Sequence, residues 1–241
     1  MRIFFVTIFL FIVIFFFAPA GYCGNSMLMY MPAILAGHGR QEAPPPPPPS
    51  RAGVYLLDNF TSYVDSIDYL HIVGEIWNNT TNVIRFVRVS VNLFDSAGRL
   101  LDTDFTYTYI SNFPGNVKTC FNLAMPAHPD MAYYQFQSVT YMNDGSMPPS
   151  MTISNTSGAL TPYGDFQILG MVRNNTSAKI QFVQPVGTLY NNAGKVVDCG
   201  FTFVDGTDIE SGQSSSFKMT FFIRASYADV TNYRIQVDGM R

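Results

Sequence analysis

The chain has 241 residues, of which only 13% are charged, and a formal net charge of −3. This balance excludes the basic footprint of a nucleic-acid-binding protein, and the length leaves room for two domains of about 100 residues each. Low charge with plentiful Ser, Thr, Asn and aromatic residues is typical of β-rich extracellular proteins.

The N-terminus carries an apolar segment. Met1 and Arg2 precede an apolar run that ends in Ala18-Pro19-Ala20. A positive start, an apolar core and an A-x-A site predict a signal peptide over residues 1–20. An uncleaved anchor stays open because the run approaches the ~20 residues that span a bilayer, and so does lipidation at Cys23. We therefore expect a secreted or cell-surface protein of the envelope, with membrane contact only through this segment if it is uncleaved.

A proline-rich stretch follows over residues 21–53. Six consecutive prolines from Pro44 to Pro49 favour an extended polyproline II rod. A linker or stalk is the preferred interpretation over a ligand for proline-recognition modules, because those modules act mostly in the cytosol.

The rest of the chain contains one stretch twice. Residues 70–105 and 166–201 align without a gap at an offset of 96 and are identical at 13 of 36 positions. A period this long predicts two whole domains of one fold, over 54–141 and 151–241, rather than a solenoid. Alternating apolar and polar residues without helical periodicity predict that both are all-β.

Turn residues recur at fixed places in the repeat. Asp95 to Gly98 and Asn191 to Gly194 place an Asx residue at the start of a turn and glycine where a positive φ is needed, which predicts tight hairpins. Gly74 and Gly170 lie inside strands, where we expect a bulge or the close approach of another backbone. Pro185 within the second copy predicts an edge strand or a bulge, because proline cannot donate to a ladder.

The runs LFDSAGRLL from Leu93 and LYNNAGKVV from Leu189 resemble the signature of the FxLYD domains of bacteria and archaea. The Gly-x-Val/Ile-x-Asn-Asn-Thr pattern upstream is also similar to that family. The resemblance implies immunoglobulin-like β-sandwiches on exported prokaryotic proteins, with no attached catalytic activity. Val91 and Gly187 depart from the family pattern, which asks for Phe.

An acidic loop is the candidate metal site. Asp205, Asp208 and Glu210 offer three carboxylates within six residues, and such oxygen ligands suit Ca²⁺. The spacing is not that of an EF-hand and the first copy has no acids there, so a solvated turn without a cofactor is the preferred interpretation.

The remaining candidates are scattered. Cys120 and Cys199 have no equivalents in the opposite copy, so two buried free thiols are preferred over a disulfide across the domains. The histidines lack metal-ligand spacing and no catalytic motif occurs, so we expect no enzyme activity. Core packing is preferred over a sugar-stacking platform for a set of aromatic residues: Trp77, Tyr107, Tyr109, Tyr133 and Tyr134.

These patterns predict a non-enzymatic exported protein that presents two FxLYD-like sandwiches for binding or structural spacing. Its partner would be a protein or glycan at the cell envelope and not a nucleic acid. The alternative is a carbohydrate- or calcium-dependent adhesion module.

Overall fold

The structure, a computed structural model, describes residues 40–41 and 53–241. The predicted signal segment, the Cys23 lipidation site and the polyproline tract lie outside the described residues. The described chain forms β-strands and no α-helix, which confirms the all-β prediction. No helix in this part of the chain is long and apolar enough to span a membrane.

The strands, in chain order, are β1 Arg40–Gln41, β2 Gly53–Leu56, β3 Thr61–Val64, β4 Tyr69–Asn79, β5 Ile84–Phe94, β6 Leu100–Tyr107, β7 Asn112–Phe113, β8 Val117–Pro126, β9 Tyr133–Phe136, β10 Thr140–Met142, β11 Met151–Leu160, β12 Phe166–Asn174, β13 Gln181–Asn191, β14 Val196–Phe201, β15 Ser214–Phe221 and β16 Val230–Met240. We call β2–β10 repeat 1 and β11–β16 repeat 2.

Repeat 1 is an immunoglobulin-like sandwich of two antiparallel sheets. In one sheet β4 pairs with β2 and β3 on one side and with β8 on the other. In the second sheet β5 pairs with β6 and β7 on one side and with β9 and β10 on the other. Alternation along these strands turns apolar side chains inward, where Ile72, Val91, Leu93 and Leu123 are fully buried or nearly so.

Repeat 2 has the same plan. One sheet has the order β11-β12-β15, and the other has β16-β13-β14, with β1 added in parallel to the free edge of β16. Strand pairs recur at the 96-residue offset, since Gly74 pairs with Phe121 as Gly170 pairs with Phe217. The internal repeat of the sequence is therefore also a repeat of strand topology and register.

The two sandwiches are stacked face to face. Strand β14 of repeat 2 packs on β4 and β8 of repeat 1, so the sheets lie in four layers and both repeats belong to one compact unit. The division into separate domains at 54–141 and 151–241 stays a prediction.

The glycines of the repeat mark turns and irregular pairing, as predicted. Gly98 and Gly194 have φ of 75° and 71°, as the hairpin turns require. Gly74 and Gly170 pair regularly with β8 and β15. On its other side Gly170 lies opposite an irregularity of β11 between Ser154 and Ser157, and Gly74 lies opposite the gap between β2 and β3. A Cβ would also meet Phe60 at 2.8 Å and Phe121 at 3.0 Å at Gly74, and Phe217 at 2.5 Å at Gly170, so side chains and not another backbone come closest.

Pro185 lies in a central strand, so the edge prediction for it is wrong. Its carbonyl accepts a hydrogen bond from Thr202, which follows the last residue of β14. Because the nitrogen and the carbonyl of a strand residue face the same neighbour, Thr202 also lies opposite the nitrogen that cannot donate, and β14 ends one residue before Thr202. The bulge of this strand lies earlier, at Phe182, and repeat 1 has one at the equivalent Phe86; both residues have positive φ, 50° and 51°.

Candidate functional site

The surface that brings buried charged side chains together with a disulfide lies between the repeats. We call it the inter-repeat interface: the outer face of β4 and β8 in repeat 1 against the outer face of β13, β14 and β16 in repeat 2. Glu75, Lys118 and Cys120 belong to the first face because strand alternation turns them away from the core of repeat 1.

A carboxylate sits at the centre of this interface. Glu75 is fully buried, and its two oxygens lie 3.0 Å from Nζ of Lys118 and 2.8 Å from a guanidinium nitrogen of Arg234. Tyr190 donates its hydroxyl to the same carboxylate at 2.6 Å, and the Asn59 amide donates at 2.7 Å. Four donors from both repeats therefore converge on one acceptor.

This Glu75 cluster is suited to fixing geometry rather than to catalysis. Both carboxylate oxygens accept charge-assisted hydrogen bonds, which leaves no free position for a substrate proton. Displacing one repeat against the other would leave a buried charge without its opposite charge, which is costly. The cluster therefore specifies one relative placement of the two repeats. The ammonium of Lys118 also lies 4.8 Å from the ring centre of Tyr190.

A disulfide crosses the same interface. Cys120 in β8 and Cys199 in β14 are bonded, with their Cα atoms 6.0 Å apart. The preferred interpretation of two free thiols is therefore wrong, and the alternative pairing across the repeats is the one the structure has. Nothing in the spacing of two cysteines 79 residues apart fixed this, because the pairing depends on how the sheets stack.

A second buried carboxylate lies beside the disulfide. Asp198 accepts hydrogen bonds from the hydroxyl of Tyr227 at 2.6 Å, from the backbone N–H of Cys199 at 2.7 Å and from the hydroxyl of Tyr63 at 3.4 Å. Burial raises the pKa of Asp198, and it also raises the pKa of both tyrosines. An open cavity of about 200 Å³, lined in part by Asp198, Asn122 and Phe222, adjoins this group.

Among the described histidines, His71 lies beside the interface and His128 does not. Its ring stacks on Tyr63 at 4.8 Å, and its two nitrogens lie 3.1 Å from Asn122 and from Asp65. The N–H of Tyr69 is the main cause that lowers the pKa of Asp65. His71 thus has both nitrogens engaged, while His128 lies on a loop and His38 lies outside the described residues.

The predicted calcium residues bind a cation of the chain itself. Asp208 lies 2.9 Å and Glu210 3.5 Å from the ammonium of Lys179, while Asp205 accepts a hydrogen bond from Ser216. The Lys179 bond lowers the pKa of Asp208. Among the described residues no group of three His, Cys, Asp or Glu side chains is placed to hold a metal. Calcium binding at this loop stays a prediction, with Lys179 as its competitor.

Exposed aromatic rings recur in both repeats. Phe86, Phe105 and Tyr107 in repeat 1 are 55%, 44% and 46% exposed, and the residues 96 positions on, Phe182, Phe201 and Phe203, are exposed to a similar extent. A positive φ at a phenylalanine is strained, yet it occurs at the first ring of both sets. Arg85, Phe86 and Tyr107 also line an open pocket of about 430 Å³.

The five aromatic residues, for which core packing was preferred over a sugar-stacking platform, do not form one surface. Trp77 is buried at 6% exposure, and Tyr109 packs against Phe201 of the other repeat at 5.1 Å. Tyr133 stacks on Phe94 at 5.1 Å, and Tyr134 is part of an edge-to-face group with Phe136. Of the five, only Tyr107 and Tyr133 are classed as exposed.

Sequence reasoning missed the interface residues. Glu75, Lys118 and Arg234 stand where the other copy has Met171, Ser214 and Gln135, so no shared pattern marks them. A charged residue in one copy opposite a neutral one in the other was the available signal, but Arg88, which lies outside the interface, differs from Gln184 in the same way.

Comparison with known proteins adds little. No family model matches the chain, and no curated protein matches it. Among solved structures, the transglutaminase of red sea bream is similar over 77% of this chain, with 8% identity and a TM-score of 0.23. The match covers 32% of the length of that transglutaminase, so this chain spans about a third of it. A likeness this weak carries no argument, and the β-sandwich fold rests on the strands described above.

Proposed function

We propose that this is a non-enzymatic, exported protein of the cell surface or envelope, in which two FxLYD-like sandwiches are locked into one rigid spacer that presents its outer faces for binding. The observation that carries the proposal is the buried interface, with its disulfide between Cys120 and Cys199 and its cluster around Glu75.

The disulfide supports export. Disulfides persist in oxidising compartments and are rare where thioredoxin and glutathione keep thiols reduced. This agrees with the signal segment predicted at residues 1–20, which stands on independent residues of the sequence.

The interface supports a structural role. The Glu75 carboxylate accepts from donors of both repeats, Tyr190, Asn59, Lys118 and Arg234, and this holds the repeats together. The exposed rings Phe86, Phe105 and Tyr107 lie on the far side of repeat 1 from the interface. Exposed apolar residues grouped on one face are typical of interaction surfaces.

Fractionation followed by mass spectrometry of the intact chain tests this proposal. We expect the protein outside the cytoplasm, with its N-terminus at or near residue 21 or with the apolar segment retained in the membrane. We expect a mass two hydrogen atoms below that of the reduced form. A cytoplasmic chain with both thiols free would contradict the proposal.

A further inference from the structure

The stacking of the repeats uses two kinds of face and leaves one of each kind without a covering strand among the described residues. Repeat 1 contributes its β3–β4–β8 side to the interface, and no described strand packs on the equivalent side of repeat 2, on β11, β12 and β15. Repeat 2 contributes its β13–β14–β16 side, and no described strand packs on the equivalent side of repeat 1, on β5, β6 and β9. We call these two the free faces: the back face, on repeat 2, and the front face, on repeat 1.

The apolar contact of the interface has exposed counterparts on the two free faces. Val73 packs with Tyr190 and Val196 inside the interface. The residues 96 positions away are Leu169 on the back face, and Phe94 and Leu100 on the front face. Leu169 is 44% exposed and Leu100 is 57% exposed. Each free face thus exposes one side of an apolar contact. In the inter-repeat interface both sides of the equivalent contact are present, and it is buried.

Two positions that touch in the interface carry opposite charges on the free faces. In the interface the Gln184 amide donates to the backbone carbonyl of Tyr109 at 3.1 Å. The residues at the equivalent positions are Arg88 on the front face and Asp205 at the edge of the back face. Arg88 lies over the Phe105 ring at 3.7 Å, and Asp205, whose carboxylate accepts a hydrogen bond from Ser216, is exposed.

A second pair of neighbouring positions in the interface also has oppositely charged equivalents on the free faces. Asn122 donates to the carbonyl of Cys199 at 3.4 Å and lines the same cavity as Asp198. The equivalents are Lys218 on the back face, and Thr103 with Asp102 on the front face. The disulfide partners become a hydroxyl pair, because Ser216 stands for Cys120 and Thr103 for Cys199.

The contacts that fix the two repeats to each other, the Glu75 ion pairs and the disulfide, have no equivalents on the free faces. Met171 replaces Glu75 and Gln135 replaces Arg234, so a contact between the free faces lacks the ion pairs of the Glu75 cluster and forms no covalent bond. Pairing the front face with the Glu75 face would bury a carboxylate without its arginine, which disfavours that mismatch.

We propose that the front face of one molecule binds the back face of a second copy of this chain, repeating the internal stacking between molecules. The contact joins two different faces, so each bound copy offers another free front or back face. Such a heterologous contact extends in one direction and builds linear arrays of stacked sandwiches. The proposal names the partner of the spacer proposed above and rests on it.

Sedimentation velocity of the oxidised, mature chain over a range of concentrations tests the proposal. We expect reversible, concentration-dependent growth beyond a dimer. Leu169→Asp should weaken association by about tenfold or more, because it places a charge in the apolar contact. Tyr163→Asp is the matched control: Tyr163 is 91% exposed in the β11–β12 turn, off both faces, and association should be unchanged.

A charge exchange gives the second readout. Arg88→Asp and Asp205→Arg should each weaken self-association, and an equimolar mixture of the two variants should restore it, because each supplies the face the other lacks. Melting temperatures near that of the parent chain verify the fold of each variant. A chain that stays monomeric, or variants at positions 169 and 163 that behave alike, would overturn self-association. An exported, oxidised monomer would leave the proposed function standing.

Discussion

The two hairpin turns are held by one side-chain oxygen each. Oδ1 of Asp95 accepts hydrogen bonds from the N–H groups of Ala97 and Arg99, both at 2.9 Å. Oδ1 of Asn191 makes the same pair of bonds at 3.0 Å in repeat 2. These bonds fix the chain so that the glycine must take a left-handed conformation, for which a residue with a Cβ has a cost.

Substitutions in these turns should rank by backbone conformation. We expect Gly98→Val to destabilise the protein by about 1 kcal/mol or more, and more than Gly98→Asn, since Asn tolerates positive φ better than a β-branched residue. Ala97→Val should have the smallest effect, because Ala97 does not have positive φ. Denaturant unfolding measures the order, which should repeat at Gly194 and Ala193. Equal tolerance of valine at positions 97 and 98 would refute it.

Asp198 predicts a pH dependence of stability. Burial raises its pKa in the folded state above the ordinary value of 3.8. The stability that Asp198 contributes is therefore fully present below that value and is lost as the pH rises through the folded pKa. Relative to Asp198→Asn, the parent protein should lose free energy of unfolding as the pH is raised above 3.8. Parallel curves for the two proteins over this range would contradict the prediction.

The residues that form the hairpin turns could be predicted from the sequence, and the residues that meet in the inter-repeat interface could not. The Asx-x-Ala-Gly turns depend on bonds within five residues, so the sequence pattern specifies them. Glu75 meets Tyr190 and Arg234 across 115 and 159 residues of sequence. No local pattern encodes such a meeting, because it depends on which faces of the two sandwiches are stacked.

At the level of strands, the repeat predicted where strands and turns lie better than it predicted which strands lie side by side. Strands β4 to β6 and β12 to β14 overlap the aligned stretches, and their hairpin turns are where the Asx and Gly residues place them. Pro185 does not make β13 an edge strand, because it removes one N–H while the strand still pairs with β14 from Val186 onward and with β16 on the other side. The length of β14, which ends at Phe201, cannot be deduced from the residues around Pro185.

The Glu75 cluster joins β4, β8, β13 and β16, and its removal should destabilise more than one strand. We expect Glu75→Gln to lower the free energy of unfolding by about 3–5 kcal/mol, because Lys118 and Arg234 stay buried without a counter-charge. Asp144→Asn is the control, since it breaks the Arg85 ion pair at a site where both side chains are about half exposed. That change should cost less than about 1 kcal/mol. Similar losses for the two variants would show that the cluster is not buried as described.

The disulfide and the stacked sheets together make the two repeats one unit rather than two sandwiches on a flexible hinge. The interface buries apolar residues of both repeats, among them Val73, Val186 and Tyr190. These residues keep the repeats together without a covalent bond, and the disulfide adds to this by restricting the unfolded chain. Reduction should therefore weaken the unit without separating its halves.

Replacing both cysteines measures that contribution. The bond joins residues separated by 79 positions, and closing a loop of this length corresponds to about 4–5 kcal/mol in the chain-entropy model. We expect Cys120→Ala with Cys199→Ala to lower the free energy of unfolding by up to that amount, while unfolding stays a single transition because the Glu75 cluster still couples the repeats. The parent protein in reductant should approach the variant. Two separate transitions in the variant, one for each repeat, would show that the bond alone holds the sandwiches together.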